Sequence, residues 1–290
     1  MNASPAIAPQ DRRRVGPLYA VVCGVTARVT GITPPMRARL AALLRPFLIP
    51  WRDHIARNVV DIAIHLEPAP AERGWRIFID GTFLTLAPDS LYLIPHLEWL
   101  VVSRAIERST AFVTFHAASL AWGRRAVTLI APSGSGKTTL TAGLASRGWK
   151  PLADDLTVVD VATRAAHPFR RCFHADPFTR SVIEAAIPAL APVPALEDYI
   201  RPRRWAPENC EPAWVVIVRR NPEEATSIQP MTRAQAAGAL FTSTIRNGLP
   251  RSEVARLSAD LASTISGCWE LNNSDLAMTL DVLEQTLRHT

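Results

Sequence analysis

The chain of 290 residues has very few lysines and few cysteines. Only Lys137 and Lys150 are lysines, so the net charge of +6 arises almost entirely from arginines scattered among alanines. The short arginine runs lack the interleaved aromatic residues on which nucleic-acid bases stack, and we expect no nucleic acid partner. The four cysteines form no C-x-x-C pair, a spacing that indicates neither a zinc site nor a redox motif.

The sequence also lacks long hydrophobic runs. No uninterrupted apolar segment approaches the ~20 residues that cross a bilayer, and the first residues show no charged region followed by an apolar stretch. We therefore expect no membrane partner and a cytoplasmic protein, which agrees with the cysteine usage. With 48% hydrophobic and 20% charged residues, the composition is typical of a globular enzyme.

Apolar periodicity divides the chain into three parts. Residues 1–16 are polar and contain an arginine run, and they predict a flexible tail. Residues 17–94 predict a small α+β N-terminal module, in which short strands surround a helix. The apolar residues at helical spacing that predict this helix are Met36, Leu40, Leu43, Leu44 and Phe47. Residues 95–290 predict an α/β domain that ends in two or three helices. Within it, the proline- and arginine-rich segments 167–174 and 188–207 predict loops around a site.

The segment Ala131–Thr138 carries the clearest chemical signal. It has the A-x4-G-K-T form of the Walker A motif, between an apolar run and a helical pattern. Glycines let successive N–H groups turn towards phosphate oxygens, the helix N-terminus adds its positive end, and the lysine adds a charge near the β- and γ-phosphates. We expect this loop to bind ATP, with the Thr138 hydroxyl on Mg²⁺. The predicted nucleotide-binding residues are Ser133, Gly134, Ser135, Gly136, Lys137, Thr138 and Thr139.

Two adjacent carboxylates, Asp154 and Asp155, follow a short apolar segment downstream of the loop. An Asp-Asp pair is most often a solvated turn. At this distance from Lys137, however, the pair is well placed to reach the γ-phosphate, where P-loop enzymes need acidic groups for metal and base chemistry. We interpret the pair as functional.

These segments together resemble a known family. The chain resembles the catalytic domain of HPr kinase/phosphorylase, and more closely its HPr-kinase-related serine kinase branch. The segments that carry the resemblance are Phe115-His116, the loop Ala131–Thr138, Arg147–Trp149 and Ala153–Asp155. The resemblance covers roughly residues 95–290 and is specific over 115–160. It implies a P-loop kinase core of the type shared with phosphoenolpyruvate carboxykinase, preceded here by the α+β module.

The resemblance implies roles for individual residues. His116 would lie near the reacting phosphate, Asp155 would be the catalytic base, and Asp154 would support it and bind metal beside Thr138. ATP and Mg²⁺ are the implied cofactors, a serine or threonine hydroxyl of a small protein or precursor peptide is the implied acceptor, and a homo-oligomer is the implied assembly. The chain departs from the family at His167–His174, which stands in place of an acidic, glycine-rich signature.

Alternatives stay open for several of these residues. His116 has a second interpretation as a buried strand histidine. Arg201, Arg203 and Arg204 are candidates to bind a phosphate or an acidic substrate, with a solvated surface as the alternative. Arg171 and His174, in the segment that replaces the family's signature, have the same two interpretations. A small-molecule kinase for an amino acid or polyol and a non-catalytic ATP-binding regulator are the alternatives to a peptide kinase.

Overall fold

In a computed structural model the chain has a mixed α/β structure, which confirms the α/β class predicted from the sequence. It divides into two compact units, one ending at Ser109 and one spanning Thr110–Thr290. No helix in the described part of the chain is both long and apolar enough to cross a bilayer. The described residues are 15–50, 59–90, 92–132, 134–186, 190–193, 196–245 and 247–290.

The first unit consists of a sheet with helices packed on it. Its elements are β1 (Leu18–Val22), β2 (Val25–Thr30), α1 (Pro34–Leu44), β3 (Ile62–Ala69), β4 (Gly74–Ile79), β5 (Thr82–Pro88) and α2 (Leu93–Arg108). The strands lie in the order β1-β2-β3-β4-β5, and of these pairs only β2 and β3 run parallel. Alternate strand residues are buried, which is the period-two pattern of a sheet with one covered face.

Helix α1 forms where the sequence predicted it. Thr33 caps it, since its hydroxyl accepts a hydrogen bond from the backbone N of Met36 at 3.4 Å, and prolines occupy the first turn. Met36, Leu40 and Leu43 form its buried stripe, as their helical spacing predicted.

Helix α2 belongs to the first unit, although the sequence-based division placed residue 95, and hence most of this helix, in the second domain. The structure puts the division after Ser109. The physical reason is packing, because α2 contacts α1 and the first three strands and buries Leu97, Val101 and Ala105. Its apolar face therefore completes the core of the first unit.

The second unit contains the remaining elements. They are β6 (Phe112–Phe115), β7 (Ala117–Trp122), β8 (Arg125–Ile130), α3 (Lys137–Ser146), β9 (Lys150–Ala153), β10 (Thr157–Asp160), β11 (Ala166–His167), β12 (Phe173–His174), α4 (Pro177–Ala186), β13 (Leu190–Val193), β14 (Leu196–Pro202), β15 (Glu211–Arg219), β16 (Ser227–Pro230), α5 (Arg233–Thr242), α6 (Arg251–Thr264), β17 (Gly267–Asn272) and α7 (Leu276–Arg288).

A six-stranded sheet in the order β16-β17-β15-β8-β7-β9 organises this unit. Strands β17, β15 and β8 are parallel, and β7 runs antiparallel to both β8 and β9. The carboxyl ends of β8, β9, β15 and β17 therefore lie at one edge, together with the amino end of β7. In open α/β sheets, ligands bind at such an edge.

Two apolar layers cover the six-stranded sheet. One face packs against α3 and α7, whose Leu140, Leu144 and Leu283 are fully buried. The other packs against α5 and α6, where Leu257 is fully buried, and against the small sheet β11-β10-β6. Both faces of the central strands are covered, so their near-continuous apolar sequence is explained.

The segments predicted as loops, 167–174 and 188–207, contain strands in their described parts. Strands β12, β14 and β13 form a third sheet, and Phe173, Leu190 and Ile200 pack in its core. The loop prediction was wrong for these strands, because it rested on the prolines and arginines of the segments, whereas residues 168–172 and 203–207 do lie outside helices and strands. Pro192 lies on β13, an edge strand, where a residue without an N–H donor is tolerated.

Candidate active site

The loop between β8 and α3 has a backbone suited to binding phosphate. Gly134 and Gly136 have φ of +78° and +90°, the left-handed region that residues with a Cβ rarely adopt. Such turns direct consecutive N–H groups into one concavity, and α3 begins directly after Gly136. Ser133, which the sequence predicted to bind nucleotide, lies outside the described residues, whereas Ser135 is described and buried.

Lys137 lies under this loop. Its side chain is largely buried, and its Nζ donates hydrogen bonds to the carbonyl oxygens of Ala131 at 2.8 Å and Pro132 at 3.5 Å. Burial lowers the pKa of the ammonium group, and the negative charges of Asp155 and Asp154 partly offset this effect. A positive charge is thus fixed close to the backbone donors of the loop.

Asp154 follows β9 and contacts α3, the helix that begins after the phosphate-binding loop. Its Oδ2 accepts a hydrogen bond from the Thr138 hydroxyl at 3.0 Å. Its Oδ1 is buried and has no hydrogen-bond partner among the described residues. Burial, together with the charge of Asp155, raises the pKa of this carboxyl to about 7, although the Thr138 hydrogen bond and the charge of Lys137 act in the opposite direction.

Asp155 has a different environment. Its Oδ1 shares a hydrogen bond with Nε2 of His116 at 3.1 Å, and both side chains are roughly half exposed. The His116 hydrogen bond, opposed by partial burial, holds the pKa of Asp155 below its ordinary value. His116 lies between β6 and β7, where its backbone N donates to the carbonyl oxygen of Ser243 at 2.7 Å. The interpretation of His116 as a buried strand histidine does not apply, because its side chain is exposed.

One cavity of about 380 Å³ contains these groups. The structure therefore brings together residues that lie up to 39 positions apart in the sequence. The sequence-predicted residues that line the cavity are His116, Gly134, Gly136, Lys137, Thr138, Thr139, Asp154, Asp155, Arg171 and His174.

The described lining of the cavity contains one arginine that was a sequence candidate, Arg171, and one that was not, Arg220. Arg201, Arg203 and Arg204 are not among the described lining residues. Arg201 contacts a residue that does line it, since its Nη2 is 3.7 Å from Sγ of Cys172.

Two functional candidates were missed by sequence reasoning. Asn273 follows β17, and its Nδ2 donates to the carbonyl oxygen of Ser135 in the loop at 3.2 Å, while its Oδ1 accepts from Thr279 at 3.1 Å. Arg220 follows β15 directly. Both are polar residues that directly follow a strand, and this position is the signal that could have identified them, since ligands gather at strand ends.

These groups fit a nucleotide phosphate chain and a divalent cation. The glycine turns, the N-terminus of α3 and Lys137 supply donors and positive charge for phosphate oxygens. The Thr138 hydroxyl and Oδ1 of Asp154, to which no described residue donates a hydrogen bond, are hard oxygen ligands of the kind that Mg²⁺ prefers.

Comparison with known proteins identifies no family for this chain. No protein-family model matches the chain, and no curated protein matches it. The resemblance to the HPr kinase family therefore stays a prediction that rests on the residues named above.

Proposed function

We propose that the chain is an ATP-dependent kinase of the HPr-kinase-like type, which transfers the γ-phosphoryl group to a hydroxyl. The observation that carries the proposal is the joining, in one cavity, of a glycine-turn loop with its lysine and a pair of carboxylates in opposite environments. A phosphate-binding loop alone would serve a nucleotide sensor equally well. Phosphoryl transfer to a hydroxyl additionally needs an ionised, accessible carboxylate beside the loop.

Each residue has a distinct role in this proposal. The N–H groups around Gly134 and Gly136, with Lys137, bind the β- and γ-phosphate oxygens of ATP. Thr138 and Asp154 hold Mg²⁺. When bound, Mg²⁺ supplies neutralisation of the negative charge on the phosphate oxygens.

Asp155 acts as the base. Because its pKa is held low by His116, it is ionised at neutral pH and accepts the proton of the acceptor hydroxyl. The acceptor oxygen forms a bond to the γ-phosphorus, the bond from that phosphorus to the β,γ-bridging oxygen breaks, and ADP leaves. His116 orients the carboxylate through the 3.1 Å hydrogen bond.

A serine or threonine hydroxyl of a small protein or peptide is the acceptor that we propose, following the family resemblance. The test uses the purified full chain with Mg²⁺ and labelled ATP, with a candidate precursor peptide and free serine offered separately. We expect label on the peptide, and its loss in Asp155→Asn with ATP binding retained. Asp260→Asn, which removes a surface carboxylate paired with Arg164 and Arg256, is the matched control.

Each result separates the candidate functions. Label on free serine but not on the peptide would indicate a small-molecule kinase. Binding of ATP without transfer to either acceptor, identical in wild type and Asp155→Asn, would favour a non-catalytic regulator and contradict the proposed mechanism.

A further inference from the structure

Two consecutive arginines at the end of β15 have opposite surroundings. Nε of Arg219 lies 3.1 Å from Oε1 of Glu270 on the neighbouring strand. Arg220 makes no hydrogen bond or ion pair with any residue that the structure describes, and it lines the cavity with the loop glycines and Lys137. The first arginine is therefore paired on the protein surface, whereas the second brings into the site a positive charge that no described residue pairs with directly.

Strand alternation explains the difference. Val215 belongs to the apolar layer under α5 and α6, and Val216 and Val218 belong to the layer under α3 and α7. Because successive side chains point to opposite faces, Arg220 continues the row of Val216 and Val218 towards the side on which α3 and its loop lie. The sequence order of the two arginines therefore determines which of them meets the loop.

The register places Arg220 beside the phosphate-binding loop. Strand β15 is the parallel neighbour of β8, with Ile217 opposite Ile130. Both strands end at the same edge of the sheet. The loop follows β8, and Arg220 follows β15. Neighbouring strands lie about 4.8 Å apart, so the side chain of Arg220 is long enough to reach the loop, and both line the same cavity.

The segment that follows Arg220 is held by one side chain. Oδ1 of Asn272 accepts a hydrogen bond from the backbone N of Asn221 at 2.9 Å, and its Nδ2 donates to the carbonyl oxygens of Asn221 at 3.3 Å and Ala225 at 3.0 Å. The backbone next to Arg220 is thereby fixed to the end of β17. A guanidinium on a fixed backbone loses less conformational entropy when it binds an anion.

We propose that Arg220 binds the terminal phosphoryl group of the nucleotide, in addition to Lys137. This inference rests on the proposed kinase function. A planar guanidinium donates two parallel hydrogen bonds to phosphate oxygens, whereas the ammonium of Lys137 acts as a point charge. The terminal phosphate is the group that must lie between Lys137 and Asp155, and the cavity that contains both of these residues also contains Arg220.

The test compares ATP and ADP binding by calorimetry, with Mg²⁺ present, for wild type, Arg220→Ala, Arg220→Lys and Arg219→Ala. We expect Arg220→Ala to weaken ATP binding about 10-fold or more and ADP binding less than about 2-fold, since a charge-assisted bidentate contact is lost only for ATP. Arg220→Lys should recover part of the loss. Arg219→Ala should alter neither affinity, and melting temperatures establish that the variants are folded.

The outcomes separate this inference from the proposed function. Equal losses for ATP and ADP in Arg220→Ala, or no loss for either, would overturn the inference and leave the kinase proposal intact. If the wild-type protein bound neither nucleotide, the proposed function and the role of Arg220 would both be rejected.

Discussion

The two walls of the candidate site differ in burial and in charge. We define the buried wall as Lys137, Thr138 and Asp154, and the exposed wall as His116 and Asp155. On the buried wall, the pKa of the carboxyl is raised to about 7 and that of the ammonium is lowered. On the exposed wall, the pKa of the carboxyl is lowered by its histidine partner. Adjacent aspartates thus acquire opposite properties from their surroundings alone, as carboxylates with different roles in one site commonly do.

The comparison predicts that substitutions in the two walls change different quantities, turnover for the exposed wall and ATP affinity for the buried wall. Asp155→Asn should lower kcat by about 10²–10⁴-fold, the range for loss of a general base, with ATP affinity little changed. Lys137→Ala should chiefly weaken ATP binding, because it removes the buried positive charge. Steady-state kinetics with nucleotide calorimetry measure both quantities. Equal effects of the two variants on affinity and turnover would show that the walls do not act separately.

The second prediction concerns the stability of the buried wall. Between pH ~4 and ~7 the folded state keeps the Asp154 proton that the unfolded chain has released, so the free energy of unfolding decreases as pH rises through this window. Asp154→Asn keeps an acceptor for Thr138 without the charge. Measured in EDTA at pH 8, it should stabilise the protein by about 1–3 kcal/mol and flatten this pH dependence.

The control for this prediction is Asp260→Asn, since Asp260 is a partly exposed carboxylate with arginine partners. It should not stabilise the protein at pH 8. If Asp154→Asn were less stable than wild type at pH 8, the carboxylate would not be a source of strain in the folded state, and the contrast between the two walls would be lost.

The third prediction addresses the loop itself. Gly136→Ala forces a Cβ into the left-handed region and to 2.9 Å from Nδ2 of Asn273. We expect a loss of about 1–2 kcal/mol in the free energy of unfolding and weaker ATP binding. Gly238→Ala is the matched control, because a Cβ at this position on α5 meets nothing within 4 Å. Unfolding in denaturant measures the free energy of unfolding of both variants. Equal losses in the two variants would contradict the packing of Asn273 against the loop.

The sequence predicted the buried wall better than the exposed wall and its surroundings. The loop motif is local, so the positions of Lys137 and Thr138 follow from a single segment. The contact between His116 and Asp155 joins residues 39 positions apart and depends on β7 running between β8 and β9. No local pattern encodes that sheet order.

The same limit explains the missed residues. Arg220 and Asn273 belong to the site because β15 is the parallel neighbour of β8, and β17 is the parallel neighbour of β15. The sequence-based prediction relied instead on a dense run of positive charge, which contains Arg201, Arg203 and Arg204. The first of these lies on β14, in a different sheet from β8. Position relative to a strand end is therefore more informative here than local charge density.

The smallest predicted effect concerns His116. His116→Ala removes the hydrogen bond that holds the pKa of Asp155 low, so this pKa should rise towards its ordinary value. A base with a higher pKa is protonated over more of the acidic range, and the acidic limb of kcat/KM should therefore move to higher pH. At pH 8 Asp155 stays ionised, and we expect only about a 10-fold loss or less, due to poorer orientation of the carboxylate.

The matched control is His174→Ala, which removes the other histidine that lines the cavity, one whose ring packs against Tyr199. It should leave the acidic limb where it is in wild type. The effect of Asp155 on stability has the opposite pH dependence to that of Asp154: the depressed pKa of Asp155 stabilises the folded state above the pKa of the unfolded chain, and this contribution disappears as pH falls through the folded pKa. An acidic limb that is identical in wild type and His116→Ala would show that Asp155 is not the titrating base, and the two walls would then not divide binding from proton transfer.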